Sequence, residues 1–297
     1  MDMRAILMGL AFAAMWSSAF TSARIIVAAA PPLTALALRF LISGLIAVVI
    51  ALIMRQSWRL TAAQWRATIV FGICQNALYL GLNFVAMQTI EASLAAIIAS
   101  TMPLLVALAG WLFLGEKLVG QAALGLVAGV LGVVIIMGAR FGGGLDLFGV
   151  TLCVLGVLAL TVATLSLRGA TSGGNFMMVV GLQMLIGSAV LWVPALALET
   201  PAITWSPRLI AAFAYTTLVP GLAATFVWVL LVNRIGTVRA STFHFLNPFL
   251  GVAIAAALLG EKLRLLDLVG VAVIAGGILL VQLAKLPAAS APVPREN

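Results

Sequence analysis

The sequence predicts an all-α membrane protein, with ten transmembrane helices arranged as two inverted five-helix repeats around a central cavity. Composition is the first reason, because 64% of the 297 residues are hydrophobic and 8% are charged, whereas soluble domains carry about 25% charged residues. Ten apolar segments of membrane-spanning length are the second reason. The third is an internal repeat, since the pattern that runs from Pro103 to Leu118 recurs from Pro248 to Leu263.

The apolar segments follow one another with short connections. A spanning helix needs about 20 mainly apolar residues, and the first segment is too long for a signal-peptide core, so it is expected to stay as a helix. Residues 1–140 are expected to form the first repeat and 141–285 the second, with 286–297 a disordered cytoplasmic tail. The predicted helices are 5–29, 32–54, 65–88, 91–113, 119–139, 147–167, 176–197, 208–232, 236–259 and 264–284.

The repeat also predicts the topology. Both copies end in Leu-Gly-Glu-Lys-Leu, and their prolines, Pro103 and Pro248, lie 145 residues apart. Because five helices per copy is an odd number, the second copy enters the membrane from the opposite side. Predicted segments on the side of the termini hold ten Lys and Arg residues, against four on the other side. This excess predicts cytoplasmic termini. It also accounts for the net charge of +8 without a nucleic-acid partner, since the basic residues form no patch.

The distribution of acidic residues excludes several kinds of chemistry. All eight acidic residues fall at predicted helix ends or in loops, so the chain offers no mid-membrane carboxylate for a proton relay. One histidine and no clustered carboxylates predict that no metal is bound, and no other cofactor is expected. An intramembrane protease would need paired membrane aspartates or a Gly-x-Ser-Gly motif, which the sequence lacks. The protein is therefore not expected to be an enzyme.

A polar cluster near the middle of the third helix is the first candidate site. It consists of Gln75, Asn76, Tyr79 and Asn83. Asn76, Tyr79 and Asn83 follow i, i+3, i+7 spacing and share one face of a helix. An aromatic hydroxyl between two amides suits an amphipathic ligand in a cavity. The alternative is hydrogen bonding between helices.

The two repeated prolines mark the second candidate site. His244 lies four residues before Pro248, and a proline displaces the carbonyl of residue i−4 from its helical bond. Free carbonyls are therefore expected at His244 and, by the repeat, at Ala99 before Pro103. His244 either contacts substrate or a proton, or bonds to a neighbouring helix.

Other polar or aromatic residues fall at similar depth on further helices, which favours a central pocket over packing alone. Two arginines in the outer parts of the first two helices, Arg24 and Arg39, are expected to extend towards the lipid headgroups. The alternative is that they draw a carboxylate inward. The further candidates for substrate binding are Trp16, Ser100, Thr101, Thr164, Tyr215, Trp228 and Asn247.

Together these motifs resemble the EamA type of the drug/metabolite transporter superfamily. The resemblance rests on Trp16, on Leu38-Arg39-Phe40, and on the paired blocks from Pro103 to Gly132 and from Pro248 to Gly277. It implies alternating access around a central cavity in the bacterial inner membrane. It also implies that the fifth and tenth helices lie outside the substrate path.

The expected function is export of amino acids, aromatic or otherwise amphipathic, or of related small metabolites. The sequence leaves facilitated diffusion and proton-coupled exchange open, and the alternative function is efflux of aromatic or cationic drugs. The expected partners are the small-molecule substrate and membrane lipid, with the chain a monomer or a homodimer.

Overall fold

A computed structural model describes residues 2–141, 146–166 and 173–285. Within these ranges the chain forms ten apolar helices long enough to cross a membrane, and no strand. This confirms the predicted fold class, while the predicted tail at 286–297 lies outside the described residues. The helices are α1 Met3–Val27, α2 Pro32–Ile53, α3 Ala62–Ala86, α4 Ala92–Leu114, α5 Gly120–Phe141, α6 Leu147–Ser166, α7 Phe176–Leu198, α8 Pro207–Ile235, α9 Thr237–Leu259 and α10 Leu265–Leu283.

The repeated Leu-Gly-Glu-Lys-Leu marks the ends of α4 and α9. Gly115 and Gly260 follow these helices with φ of 66° and 69°, a left-handed conformation that a residue without Cβ adopts at little cost. The same local geometry ends both copies. The sequence string is therefore a helix terminator that the chain uses twice.

Helix packing follows the duplication. α5 packs along α10, and α2 packs along α7. α1 contacts α8 and α9, just as its counterpart α6 contacts α3 and α4. Exchanging the two halves maps this pattern onto itself, as inverted repeats require.

Glycines allow the close approach of α5 and α10. A Cβ built on Gly125 would lie 2.6 Å from the carbonyl oxygen of Gly277, and one on Gly132 would lie 2.8 Å from that of Gly270. The four glycines therefore let the two backbones touch. α5 also exposes large apolar side chains on its other side, including Leu124, Val127, Val130, Leu131 and Val134.

The α2–α7 pair carries matching hydrogen bonds at its two ends. At the start of α2, the Glu199 carboxylate accepts the backbone N–H groups of Leu33 and Thr34, both at 2.7 Å. At the start of α7, the Gln56 carboxamide accepts the N–H of Met178 at 3.0 Å. Leu33 and Met178 are equivalent residues of the two repeats. Each helix of the pair is thus capped by a residue that follows the other, at opposite ends of the molecule.

Candidate functional site

A cavity of about 70 Å³ lies where α1, α2, α3, α7 and α8 meet. Five of the residues predicted for substrate binding line it: Trp16, Gln75, Asn76, Tyr79 and Asn83. Its walls also include three polar residues that the sequence analysis did not select, Arg39, Gln183 and Thr225. Both repeats therefore contribute polar groups to one mostly apolar space, the usual character of a small-molecule site.

Two irregular segments shape this cavity. α3 widens into a π-helix over Gly72–Tyr79, and α8 does so over Val219–Ala223. The segments occupy equivalent positions in the two repeats. π-Helical turns are rare and often occur at functional sites, and irregular backbone inside a membrane is tolerated where it lines a cavity.

Side-chain donors bond to backbone carbonyls in or beside each π segment. The Asn83 amide donates to the Tyr79 carbonyl at 2.8 Å, and the Thr225 hydroxyl donates to the Gly221 carbonyl at 3.0 Å. In α8, Pro220 has no N–H to donate. The Ser43 hydroxyl of α2 donates to the Thr217 carbonyl at 3.4 Å. These bonds stabilise both helices at the points where their regular ladders are interrupted.

The two asparagines of the α3 cluster hold the structure as well as line the cavity. The Asn76 side-chain amide donates to the backbone carbonyl of Gln183 in α7 at 2.9 Å. The side-chain oxygen of Asn83 accepts from the Cys153 thiol at 3.4 Å. By contrast, no hydrogen bond to another described residue engages the Tyr79 hydroxyl or the Gln75 carboxamide. Those two polar groups are available to a ligand.

Arg39 does not extend to the headgroups, and that prediction is wrong. Its side chain is only 5% exposed and lines the cavity. The guanidinium carbon lies 5.0 Å from the centre of the Phe40 ring, a distance that allows a cation–π interaction. Arg24 is half-buried, and its guanidinium donates to the Met87 carbonyl at the far end of α3.

An aromatic cluster lies between α1, α8 and α9, next to the cavity. Phe12 sits at its centre, with ring centroids 5.8 Å from Trp16, 4.7 Å from Trp228 and 5.5 Å from His244. Trp16 belongs to both the cluster and the cavity wall. The cluster therefore borders the cavity through a single shared side chain.

The His244 carbonyl is not free, contrary to the prediction. α9 tightens into a 3₁₀ turn over Thr242–Leu246, and the His244 carbonyl accepts the N–H of Asn247. Asn247, which directly precedes Pro248, supplies the N–H for this shorter i→i+3 bond. The spacing of His244 and Pro248 does not predict it. The His244 ring also accepts from the Asn247 amide at 3.0 Å, and Ser17 donates to the Asn247 carbonyl at 3.3 Å.

The remaining predicted residues lie outside the cavity lining. The hydroxyls of Ser100, Thr101 and Thr164 donate to carbonyls of their own helices, at 2.6, 2.7 and 2.8 Å. The Tyr215 hydroxyl pairs with that of Ser18 at 2.8 Å, and its side chain is 40% exposed. Pro103 and Pro248 are buried at the breaks in α4 and α9.

A second and larger cavity, of about 390 Å³, opens on the face away from the chain termini. It is lined by charged residues at helix ends: Arg24, Glu91, Arg208 and Glu261. Glu261 also caps α4, since its carboxylate accepts the N–H groups of Ala92 and Ser93 at 2.8 and 3.0 Å. We name this space the distal vestibule.

Comparison with known proteins identifies the architecture. The EamA-like transporter family matches residues 3–138 and again residues 147–283. The chain belongs to this family. The two matches cover the two halves that carry the paired helix-ending motifs, so this EamA-like transporter is a duplicated, multi-pass membrane protein.

Two relatives and one solved structure show how far the likeness extends. The uncharacterised transporter YvbV of Bacillus subtilis (strain 168) is 27% identical over 268 residues, 90% of this chain and 88% of the relative. An uncharacterised transporter of Archaeoglobus fulgidus is 26% identical over 178 residues, 60% of this chain and 62% of the relative. A crystal structure of another protein superposes with a TM-score of 0.65 at 21% identity, covering 96% of this chain and 98% of that one, which shows the fold alone.

Sequence signals for the missed residues of this EamA-like transporter do exist. Gln183 is the one amide in the apolar segment predicted at 176–197. Pro220 interrupts the segment predicted at 208–232, which marks a helix irregularity. For Arg39 the sequence predicts contact with the headgroups, because it does not show that the side chain points inward.

Proposed function

We propose that this transporter exports amino acids, including aromatic ones, or related small amphipathic metabolites from the bacterial cytoplasm, with both termini cytoplasmic. The observation that carries the proposal is the cavity between the repeats. Tyr79 and Gln75 offer hydrogen bonds from one repeat, and Gln183 and Thr225 offer them from the other. Trp16 and Phe20 supply apolar walls. A ligand with a polar head and an apolar body matches such a lining.

The irregular helices support alternating access as the mode of transport. The cavity of about 70 Å³ has room for a few water molecules, so it must widen to admit an amino acid. Arg24 of the distal vestibule, of about 390 Å³, donates to the carbonyl of Met87, which lines the central cavity. The Phe12 cluster meets the same cavity through Trp16. Bending at the π segments of α3 and α8 opens one side as the other closes.

The charge of the lining argues against the drug-efflux alternative. Among the residues that line the central cavity, Arg39 is the one with a permanent charge. A buried guanidinium repels a lipophilic cation, and the lining holds no carboxylate to offset that repulsion. Amino acids and organic acids therefore fit the cavity better than cationic drugs.

Counterflow in proteoliposomes tests the proposal. Vesicles loaded with an unlabelled amino acid are expected to accumulate the same labelled amino acid, and a pH gradient distinguishes facilitated diffusion from proton-coupled exchange. Gln75→Leu is expected to reduce this exchange severalfold, whereas Gln88→Leu, at an exposed amide beyond α3, is expected to leave it unchanged. If no member of an amino-acid panel exchanges above empty liposomes, the proposal is wrong.

A further inference from the structure

Among the described residues, Arg39 is a buried charged residue with neither an ion pair nor a hydrogen bond. It lies in the first half of α2, is 5% exposed, and its Nε is buried with no hydrogen-bond partner among the described residues. Within the described ranges, no carboxylate forms an ion pair with it. The Arg39 guanidinium does lie over the face of the Phe40 ring. Burying an ionised group with so little compensation is costly, so the position points to a function.

The guanidinium also lies against the irregular turn of α8. A Cβ built on Gly221 would lie 3.5 Å from Arg39 Nη2 and 3.5 Å from Ser43 Oγ. Gly221 follows Pro220 in the π segment, and both line the same cavity as Arg39. The guanidinium of Arg39 therefore meets the point of α8 that is expected to move during transport.

We infer that Arg39 binds the carboxylate of the transported molecule, which makes an anionic group a requirement for recognition. This inference rests on the proposed function and specifies its substrate class. A guanidinium presents parallel N–H donors that match a carboxylate. The Tyr79 hydroxyl and the Gln75 carboxamide, which line the same cavity, bind the remaining polar atoms of the ligand.

A structural role for Arg39 makes the opposite prediction about stability. If the charge held the fold together, its removal would lower the melting temperature, as breaking a buried ion pair does. If the charge is kept for a ligand, Arg39→Met leaves the ligand-free protein equally stable or raises its melting temperature, because an uncompensated buried charge is removed.

The first experiment compares ligands that differ in one group. Labelled phenylalanine is exchanged in proteoliposomes against phenylalanine, 3-phenylpropionate (no amine) and phenylalaninamide (no carboxylate). The two carboxylates are expected to compete at least about tenfold better than the amide, because a charge-assisted bidentate pair contributes that much or more. Equal competition by phenylalaninamide would overturn the inference while leaving amino-acid transport intact.

The second experiment uses variants and a binding measurement that does not depend on transport. Wild-type protein in detergent is expected to melt at a higher temperature with 3-phenylpropionate than with phenylalaninamide. This difference is expected to disappear in Arg39→Gln, to persist in part in Arg39→Lys, and to be unchanged in Arg66→Gln, an exposed arginine of α3. Equal melting shifts with both compounds in the wild type, or an unchanged difference in Arg39→Gln, would refute the carboxylate role even if no exchange is observed.

Discussion

The two π segments occupy equivalent positions in the two repeats but are built from different residues. In α3, Gln75 and Asn76 stand where α8 has Pro220 and Gly221. The α8 segment includes a residue that cannot donate a helical bond. In α3 every residue can donate, so packing against α7 must hold the irregular shape. The two π segments thus share a backbone shape, while Gln75, Asn76 and Tyr79 give only the α3 segment polar side chains.

The contacts of α3 with α7 explain how that shape is held. A Cβ on Gly72 would lie 2.7 Å from the Gln183 carbonyl oxygen, and one on Gly187 would lie 2.4 Å from the Asn76 Cβ. Each helix thus has a glycine where the other presses closest. The Asn76 amide then closes the contact by donating to the Gln183 carbonyl.

Gly72→Val is the variant expected to have the largest effect on the α3 segment. Its side chain would meet the α7 backbone, so we expect the free energy of unfolding to fall by ~1–3 kcal/mol and exchange of labelled amino acid to fall with it. Gly276→Ala, at a glycine of α10 with no atom within 4 Å of its built Cβ, is the control and is expected to be neutral or slightly stabilising.

The equivalent test in α8 is expected to give a weaker result. Pro220→Ala restores a backbone N–H without adding bulk, and the Ser43 and Thr225 hydroxyls remain as donors. We expect the free energy of unfolding of this variant to lie within ~1 kcal/mol of the wild-type value. Thermal unfolding in detergent measures both variants. A larger loss for Pro220→Ala than for Gly72→Val would show that packing does not hold the α3 segment.

The fold was more predictable than the site for a physical reason. Helix length, the paired prolines and the repeated glycine terminators are local properties, and lipid requires every spanning segment to satisfy its own backbone. Cavity-facing orientation depends on rotation of one helix against others. Gln75 and Tyr79 were found because they cluster on one segment. The inward direction of Arg39 depends on contacts between α2 and α8, which the sequence does not show.

The caps of α2 and α7 give a second, smaller contrast between the repeats. Glu199 caps α2 with a carboxylate, and Gln56 caps α7 with a neutral amide. Since negative charge is favourable at a helix start, Glu199→Gln is expected to lower the free energy of unfolding by ~0.3–1 kcal/mol, and Gln56→Glu to raise it by a similar amount. Thermal unfolding of the two single variants and the double variant measures this. Changes of the same sign would show that the caps are not equivalent.

The smallest expected effect concerns the first turns of α1 and α6. The Arg234 guanidinium and the Ala5 N–H both donate to Asp2 and lower the pKa of its carboxyl from 3.8 to about 2. At the matching place in the other repeat, the Thr89 hydroxyl and the N–H groups that start α6 lower the pKa of Asp146. Both carboxylates are exposed, so each contributes little.

A lowered pKa fixes the sign of the pH dependence. The Asp2 carboxyl takes up a proton near pH 3.8 in the unfolded chain and near pH 2 in the folded protein. Its stabilising contribution is therefore complete above pH 3.8 and is lost as the pH falls towards 2. Asp2→Asn is expected to lower the melting temperature slightly at pH 7, and the difference from wild type is expected to shrink between pH 4 and 2.

Asp146→Asn, which keeps a short polar cap without the charge, is expected to behave in the same way. A difference that grows on acidification would mean that Asp2 is held by something other than its charge.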